Sequence, residues 1–209
     1  MMVSPMQKMS LRVRGLLNDC RGVAAVEFAM IVPIMLVMFF GVVEFSSVIA
    51  VDRKATLVAR TLSDLTSQST SVADADLTSF GQAAKAILTP YAGSPLNSSI
   101  TEVYVDITTG VARVQWSKAL TIDTSGSVTI AATAPHNPTD VVVLPPDLVV
   151  KGTYLIWSEV SYKYMPVVGY VMAKTGISLS DTTYTRPRQT LCVIYPTPSS
   201  GPLPTCPTL

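Results

Sequence analysis

Residues Arg21 to Phe45 read RGVAAVEFAMIVPIMLVMFFGVVEF. From Phe28 to Val43 the run carries no charged side chain, and with its flanks it supplies the ~20 apolar residues that a membrane-spanning helix needs. Glu27 stands at the mouth of the run, five residues after Gly22. A carboxylate carried to mid-bilayer costs roughly 2.5 to 3.5 kcal/mol on insertion scales, so this one calls for a compensating partner. Glu44 closes the run 17 residues later, ~26 Å along a helix, slightly less than the ~30 Å of hydrocarbon. Each glutamate can approach one interface, so a plain single-pass anchor is physically tolerable.

The segment in front of the run is basic. Lys8, Arg12, Arg14 and Arg21 against Asp19 give residues 1–22 a formal charge of +3. Positive flanks stay cytoplasmic, so the N-terminus is expected inside and everything after Val51 exported. A general secretory signal ends in a small-residue cleavage site after its apolar core. Here Glu44, Phe45, Ser46 and Ser47 follow the core, and the small residue, Gly22, precedes it. A cut between Gly22 and Val23 would remove the leader and leave the apolar helix as the new N-terminus.

At these residues the chain resembles the TadE/TadG-like family of pilus assembly proteins, the pseudopilins of tight-adherence (Flp-type) pili. The resemblance rests on Gly22, Glu27, Phe28 beside it, Pro33 inside the run, and the exit from Gly41 through Glu44 to Phe45. A second, weaker likeness lies in WSEVSYKYMPVVG (Trp157 to Gly169) and TTYTRPRQ (Thr182 to Gln189). The resemblance implies cleavage between Gly22 and Val23 by an inner-membrane prepilin peptidase. Other pilins or pseudopilins and the inner-membrane assembly platform would be the partners. The amine freed on Val23 would neutralise Glu27 of a neighbouring subunit. The expected function is that of a minor pilin that initiates, caps or regulates a pilus used in surface adhesion. At 209 residues the chain is too short for the large extra domain of some TadG-like members, which favours the TadE-like side. The rival reading is an unprocessed, membrane-anchored periplasmic binding protein unrelated to pili.

Composition agrees with an anchored, exported protein. Hydrophobic residues make up 48% and charged residues 14%, against about 25% charged in an ordinary soluble domain. Without the leader, eleven bases face thirteen acids, a net −2, and nothing in that balance points to nucleic acid. Cys20 belongs to the leader, whereas Cys192 and Cys206 fall in an exported tail where disulfides persist. Those two form a candidate disulfide, with unpaired surface thiols as the alternative.

Past the membrane the helix is expected to continue to Ser67. Val48, Val51, Ala55, Val58, Leu62 and Leu65 recur at steps of three and four, while Asp52, Arg53, Lys54, Arg60 and Asp64 fall elsewhere. The whole helix, Val23 to Ser67, would be ~68 Å long, with Pro33 as its one irregularity. A second, short amphipathic helix carries Leu77, Phe80, Ala84, Ile87 and Leu88 and stops at Pro90, with Asp74 or Ser71 as its cap. Asp74 and Asp76 are accounted for by the helix dipole rather than by a metal.

From Ser98 the period changes to two. Val103, Val105 and Ile107 alternate with Glu102, Tyr104 and Asp106; after a Thr109-Gly110 turn, Ala112, Val114 and Trp116 alternate with Arg113 and Gln115, which reads as a hairpin. A long Pro-rich link follows, then a strand from Tyr154 to Tyr164 and another candidate from Thr183 to Tyr195. Three or four antiparallel strands against a helix make an α+β fold of pilin-like outline. The divisions expected are 1–22 leader, 23–51 membrane helix, 52–67 amphipathic extension, 68–195 periplasmic domain and 196–209 Pro-rich tail.

Catalytic patterns are not found. The one histidine, His136, sits between Pro135 and Asn137 in a loop, and no G-x-S-x-G, P-loop or Cys/His metal spacing occurs. No enzyme activity, cofactor, metal or small-molecule substrate is expected. Trp157, Tyr162, Tyr164 and Tyr170 make a candidate binding surface, or equally the aromatics of a half-buried strand.

Overall fold

A computed structural model of the chain describes residues 22–91, 95–166, 176–199, 201 and 203–207. The basic leader and Tyr170 lie outside them. Helix α1 spans Val23–Ser67 without interruption, passing through Pro33. It is followed by helix α2 (Asp74–Leu88) and strands β1 (Leu96–Val105), β2 (Ala112–Ile122), β3 (Val128–Ile130) and β4 (Val141–Val142). A 3-10 turn at Pro146–Leu148 leads into β5 (Tyr154–Tyr164) and β6 (Ile177–Thr185). Among the described residues the strands form one antiparallel sheet in the order β3-β2-β1-β5-β6, with β4 also on β2. The fold is α+β, one long helix and one short helix against a small sheet.

The lower half of α1 is held to the sheet by the stripe that its spacing predicts. Val51, Ala55, Val58 and Leu62 are fully buried, joined by Ala59, and pack with Leu96, Ile100, Leu120, Ile156 and Val160. Burying each Val or Leu contributes roughly 1.5–3 kcal/mol before entropy is counted, so this stripe is the main bond between helix and domain. Helix α2 completes the layer. Helix and strand approach closely where it meets β3: a Cβ on Gly81 would come within 2.6 Å of the Val128 side chain, which would have to shift.

Capping of α2 differs from the expectation. Ala73 occupies the cap position, and the Asp76 carboxylate accepts its backbone N–H at 2.8 Å. Asp74 instead accepts the Tyr195 hydroxyl at 2.6 Å, so both acids are engaged in fixing the helix start. Its other end is held by Lys54 of α1, whose ammonium donates to the carbonyls of Ile87 (2.7 Å) and Thr89 (2.6 Å). A cation on the last carbonyls of a helix is favoured by the dipole. Lys54→Met keeps the aliphatic stem and removes these bonds. It is expected to cost about 1 kcal/mol and to lower the melting temperature of the detergent-solubilised chain by roughly 2–4 °C. An unchanged melting temperature would mean that solvent replaces the ammonium at no cost.

The β1–β2 hairpin departs from simple alternation in three ways. Its partners run Leu96↔Ile122 to Glu102↔Trp116, then slip to Val103↔Val114, which leaves Gln115 as a bulge. A bulge adds one residue and reverses the parity of everything beyond it. Trp116 therefore lies on the helix side of the sheet while Val114, two residues earlier, faces the other side opposite Val103. Glu102, expected outside, is fully buried, and Ile107, expected inside, is 67% exposed at the hairpin tip. The reason is that both faces of this end are covered. The Pro-rich link lays Val142, Leu144 and Leu148 over Val103, Val105 and Leu155. On the helix side, the chain after β6 packs Cys192 and Ile194 on Tyr104 and Tyr154.

The last strand is also displaced from its expected position, being Ile177–Thr185 rather than Thr183–Tyr195. After Thr185 the chain leaves the sheet edge and returns across the helix layer, where Ile194 bridges to Ser71. Cys192 and Cys206 are joined in a disulfide with Cα atoms 5.7 Å apart, and the Tyr154 hydroxyl donates to the Pro207 carbonyl at 2.7 Å. A closed loop of this length contributes about 3 kcal/mol in the chain-entropy account.

Candidate assembly segment

Gly22 caps α1 with ordinary dihedrals (φ −77°, ψ −14°), and a Cβ there would meet nothing within 4 Å. Neither its backbone conformation nor packing against the described residues demands a glycine at that position. Val23 begins the helix, and Glu27 follows one turn on, exposed, with none of the described residues partnering its carboxylate. Phe28 is exposed, Pro33 lies inside the helix and Gly41 is half-exposed.

Around the whole circumference of the upper helix, Val26, Met30, Ile34, Leu36, Met38 and Val42 among others are exposed. Its most apolar 18-residue window has a mean hydropathy of 2.5 and no residue buried against the rest of the chain. A helix that is apolar all round and uncovered fits a lipid environment or a bundle of like helices, not water. By length and composition this one helix can span a membrane.

Glu44 marks the change of regime. It is only 3% exposed, and its carboxylate accepts the Tyr164 hydroxyl at 2.9 Å. Phe45 beside it points outward and is 59% exposed. The two distal stretches singled out in the sequence prove to be the helix's seat. Tyr164 of the first holds Glu44. From the second, Thr185 shares a hydrogen bond with Ser63 at 2.7 Å, and Arg188 pairs with Asp64 at 2.6 Å. Sequence patterning missed this arrangement because these polar pairings join residues far apart in the chain, and a local period, even where it marks Tyr164, does not name a long-range partner.

Deeper in the domain lies a polar node that sequence reading missed altogether. Glu102 Oε1 accepts the Val193 N–H at 2.6 Å, and Oε2 accepts the Trp116 indole N–H at 3.0 Å. The same indole also donates to the Val193 carbonyl at 2.8 Å. Loss of solvation raises the Glu102 pKa to about 8, against the opposing pull of the Val193 and Trp116 donors. The node ties the returning tail to the sheet.

The other candidates do not converge on a site. Tyr162 and Tyr164 are buried on the helix side, whereas Trp157 lies on the opposite face between His136 (4.8 Å, stacked) and Tyr184. The aromatics therefore do not share one surface. His136 is packed rather than free in its loop, with Nε2 3.8 Å from Glu159. Glu159 accepts the Ser99 hydroxyl at 3.0 Å, so the carboxylate, not the imidazole, sits between the other two groups. This is not the order in which a base activates a serine. Among the described residues no group of three or more His, Cys, Asp or Glu is placed to hold a metal.

No curated protein and no solved structure among those compared matches this chain. A family model does match, over residues 22–63, and its description is "TadE-like protein". The match takes in Gly22, Glu27, Pro33, Gly41, Glu44 and Phe45, and runs on into the buried stripe as far as Ser63. Over this anchor and the first turns of its seat the chain is TadE-like, consistent with the TadE/TadG-like family.

Proposed function

We propose that the protein is a non-enzymatic minor pilin, or pseudopilin, of a tight-adherence pilus system. In this reading a prepilin peptidase cuts between Gly22 and Val23, and the helix from Val23 holds the protein in the inner membrane with its α+β domain in the periplasm. Lateral transfer of that helix to other pilins and the assembly platform then lets it initiate, cap or regulate the filament. Support comes from the TadE-like match over the anchor and from the uncovered apolar helix. The +3 leader supports the orientation.

The observation that carries the reading is at Gly22. Among the described residues nothing packs where a side chain at Gly22 would lie, so the position is open to a reader from outside the fold, and a peptidase that must fit the backbone at the cut would be such a reader. Replacing Gly22 with Leu is therefore expected to leave folding and membrane insertion intact and the leader attached. Intact-mass analysis checks this: the wild type should begin at Val23 and the Gly22→Leu protein should be heavier by the leader. Wild-type protein that keeps Met1 in piliated cells would return the weight to an unprocessed anchor.

A further inference from the structure

We propose that the end of the domain beside Glu44 rests on the lipid headgroup boundary of the membrane that α1 spans, so that the domain is docked on the bilayer rather than held away from it. The inference rests on the reading of α1 as a membrane anchor. Two fixed points set the geometry. Ser63 of α1 donates to the Ile156 carbonyl of β5, and Glu44 of α1 accepts from Tyr164 of β5. The helix rises ~28 Å between its two points, and the strand advances ~26 Å between its own. The strand therefore runs almost parallel to the helix axis and toward the membrane. Glu44 is where the uncharged run ends, so Tyr164 is level with the exit of the helix from the bilayer, and Met165 follows it at that end of the strand.

What lies at that level suits a lipid boundary. Met165 is 50% exposed, and Phe45 and Ile49 on the adjoining face of α1 are exposed as well. Tyr91 packs edge-on against Tyr164 and takes the Tyr162 hydroxyl on its carbonyl. Lys163 is exposed beside them. Half-buried Tyr91 and exposed Lys163 are of residue types that collect at membrane interfaces, and Met165 adds an apolar tip, while Tyr162 and Tyr164 are themselves buried. The opposite end of the sheet also exposes apolar side chains, Ile107, Val141 and Val143 among them. It lies, however, at the Tyr154 end of β5, away from Glu44 and the uncovered helix. Around Ile107 the polar groups of Asp106, Thr108, Thr109 and Lys151 are joined by hydrogen bonds of their own. An apolar patch continuous with a membrane span is covered by the same lipid.

The test uses the full-length protein in lipid nanodiscs, with Cys20→Ser and an environment-sensitive fluorophore on a single added cysteine. Met165→Cys, Ile107→Cys and Leu36→Cys are compared for quenching by lipids spin-labelled near the headgroup and deep in the acyl chain. The expected result is that residue 36 responds to the deep quencher, residue 165 responds to the shallow quencher about threefold more than residue 107, and residue 107 scarcely responds. Equal responses at 165 and 107, with 36 quenched, overturn the docking while leaving the anchor in place. If 36 is not quenched either, the anchor reading fails and the docking with it. A response at 165 that appears only when the protein is diluted in the bilayer means that a second copy, not lipid, covers the patch, and this too overturns it.

Discussion

Raising the pH from about 5 to about 8 is expected to weaken the folded domain by about 3–4 kcal/mol, through one buried carboxyl. Glu102 has its pKa raised from 4.5 to about 8 in the folded chain, with desolvation as the largest cause. Between those two values the folded protein keeps a proton that the unfolded chain releases. Stability therefore falls as pH rises: the contribution is complete below about pH 4.5 and gone above about 8. The Asp106 and Asp123 carboxylates, held below the ordinary value of 3.8 by hydrogen bonds from nearby backbone N–H and hydroxyl groups, act in the opposite direction but below that value and so outside this window. Tyr154, which interacts with Glu102, titrates near 12. Denaturant unfolding of the detergent-solubilised full chain at pH 5, 6.5 and 8 measures the slope. Glu102→Gln should abolish it. At pH 5 this variant should be the less stable, because an amide NH2 cannot accept from the Trp116 indole. A His136→Asn control removes the one histidine. A flat wild-type profile would show that water reaches the node and keeps the carboxyl ionised, whereas a slope that survives in Glu102→Gln would assign the pH dependence to another group.

How much of this was legible in the sequence depends on which force sets each feature. The two helices and the strand Tyr154–Tyr164 could be read because burial on one face writes its period into the chain. The stripe from Val51 to Leu62 is such a case. The hairpin defeated the same rule after Val103, since a one-residue bulge at Gln115 leaves no compositional mark yet turns Trp116 to the opposite face from Val114. Glu102 looked like the outward half of an alternation, and what buries it comes from ninety residues away in the returning tail. No local pattern reports a long-range cover. For the same reason Glu44 and Tyr164 could be noticed separately but not paired.

The anchor was legible because it is written in composition and spacing. In the proposed reading the partner of Glu27 lies in another subunit, so its role is tested in the assembled system. The strongest test is therefore Glu27→Gln, which keeps the shape and removes the charge. The carboxylate is exposed near the start of an apolar helix, and none of the described residues partners it. In solvent that position costs nothing, but in a low-dielectric helix bundle an unpaired charge is costly and a paired one sets register. In the proposed reading a free amine on Val23 of a neighbouring subunit is the complementary group, one that cleavage would create. Glu27→Gln is therefore expected to insert and to be processed normally, yet to lower surface pili and cross-links to neighbouring pilins by roughly tenfold or more, the factor that follows from losing about 1.4 kcal/mol per contact. Glu44→Gln should be mild by comparison, since the amide oxygen can still accept the Tyr164 hydroxyl that the carboxylate accepts now. Counting surface pili and cross-linked partners for both variants at matched protein levels separates the two glutamates. Normal counts for Glu27→Gln would make it a tolerated interfacial acid of a plain anchor, whereas loss at Glu44 alone would shift the assembly role to the seat of the domain on its helix.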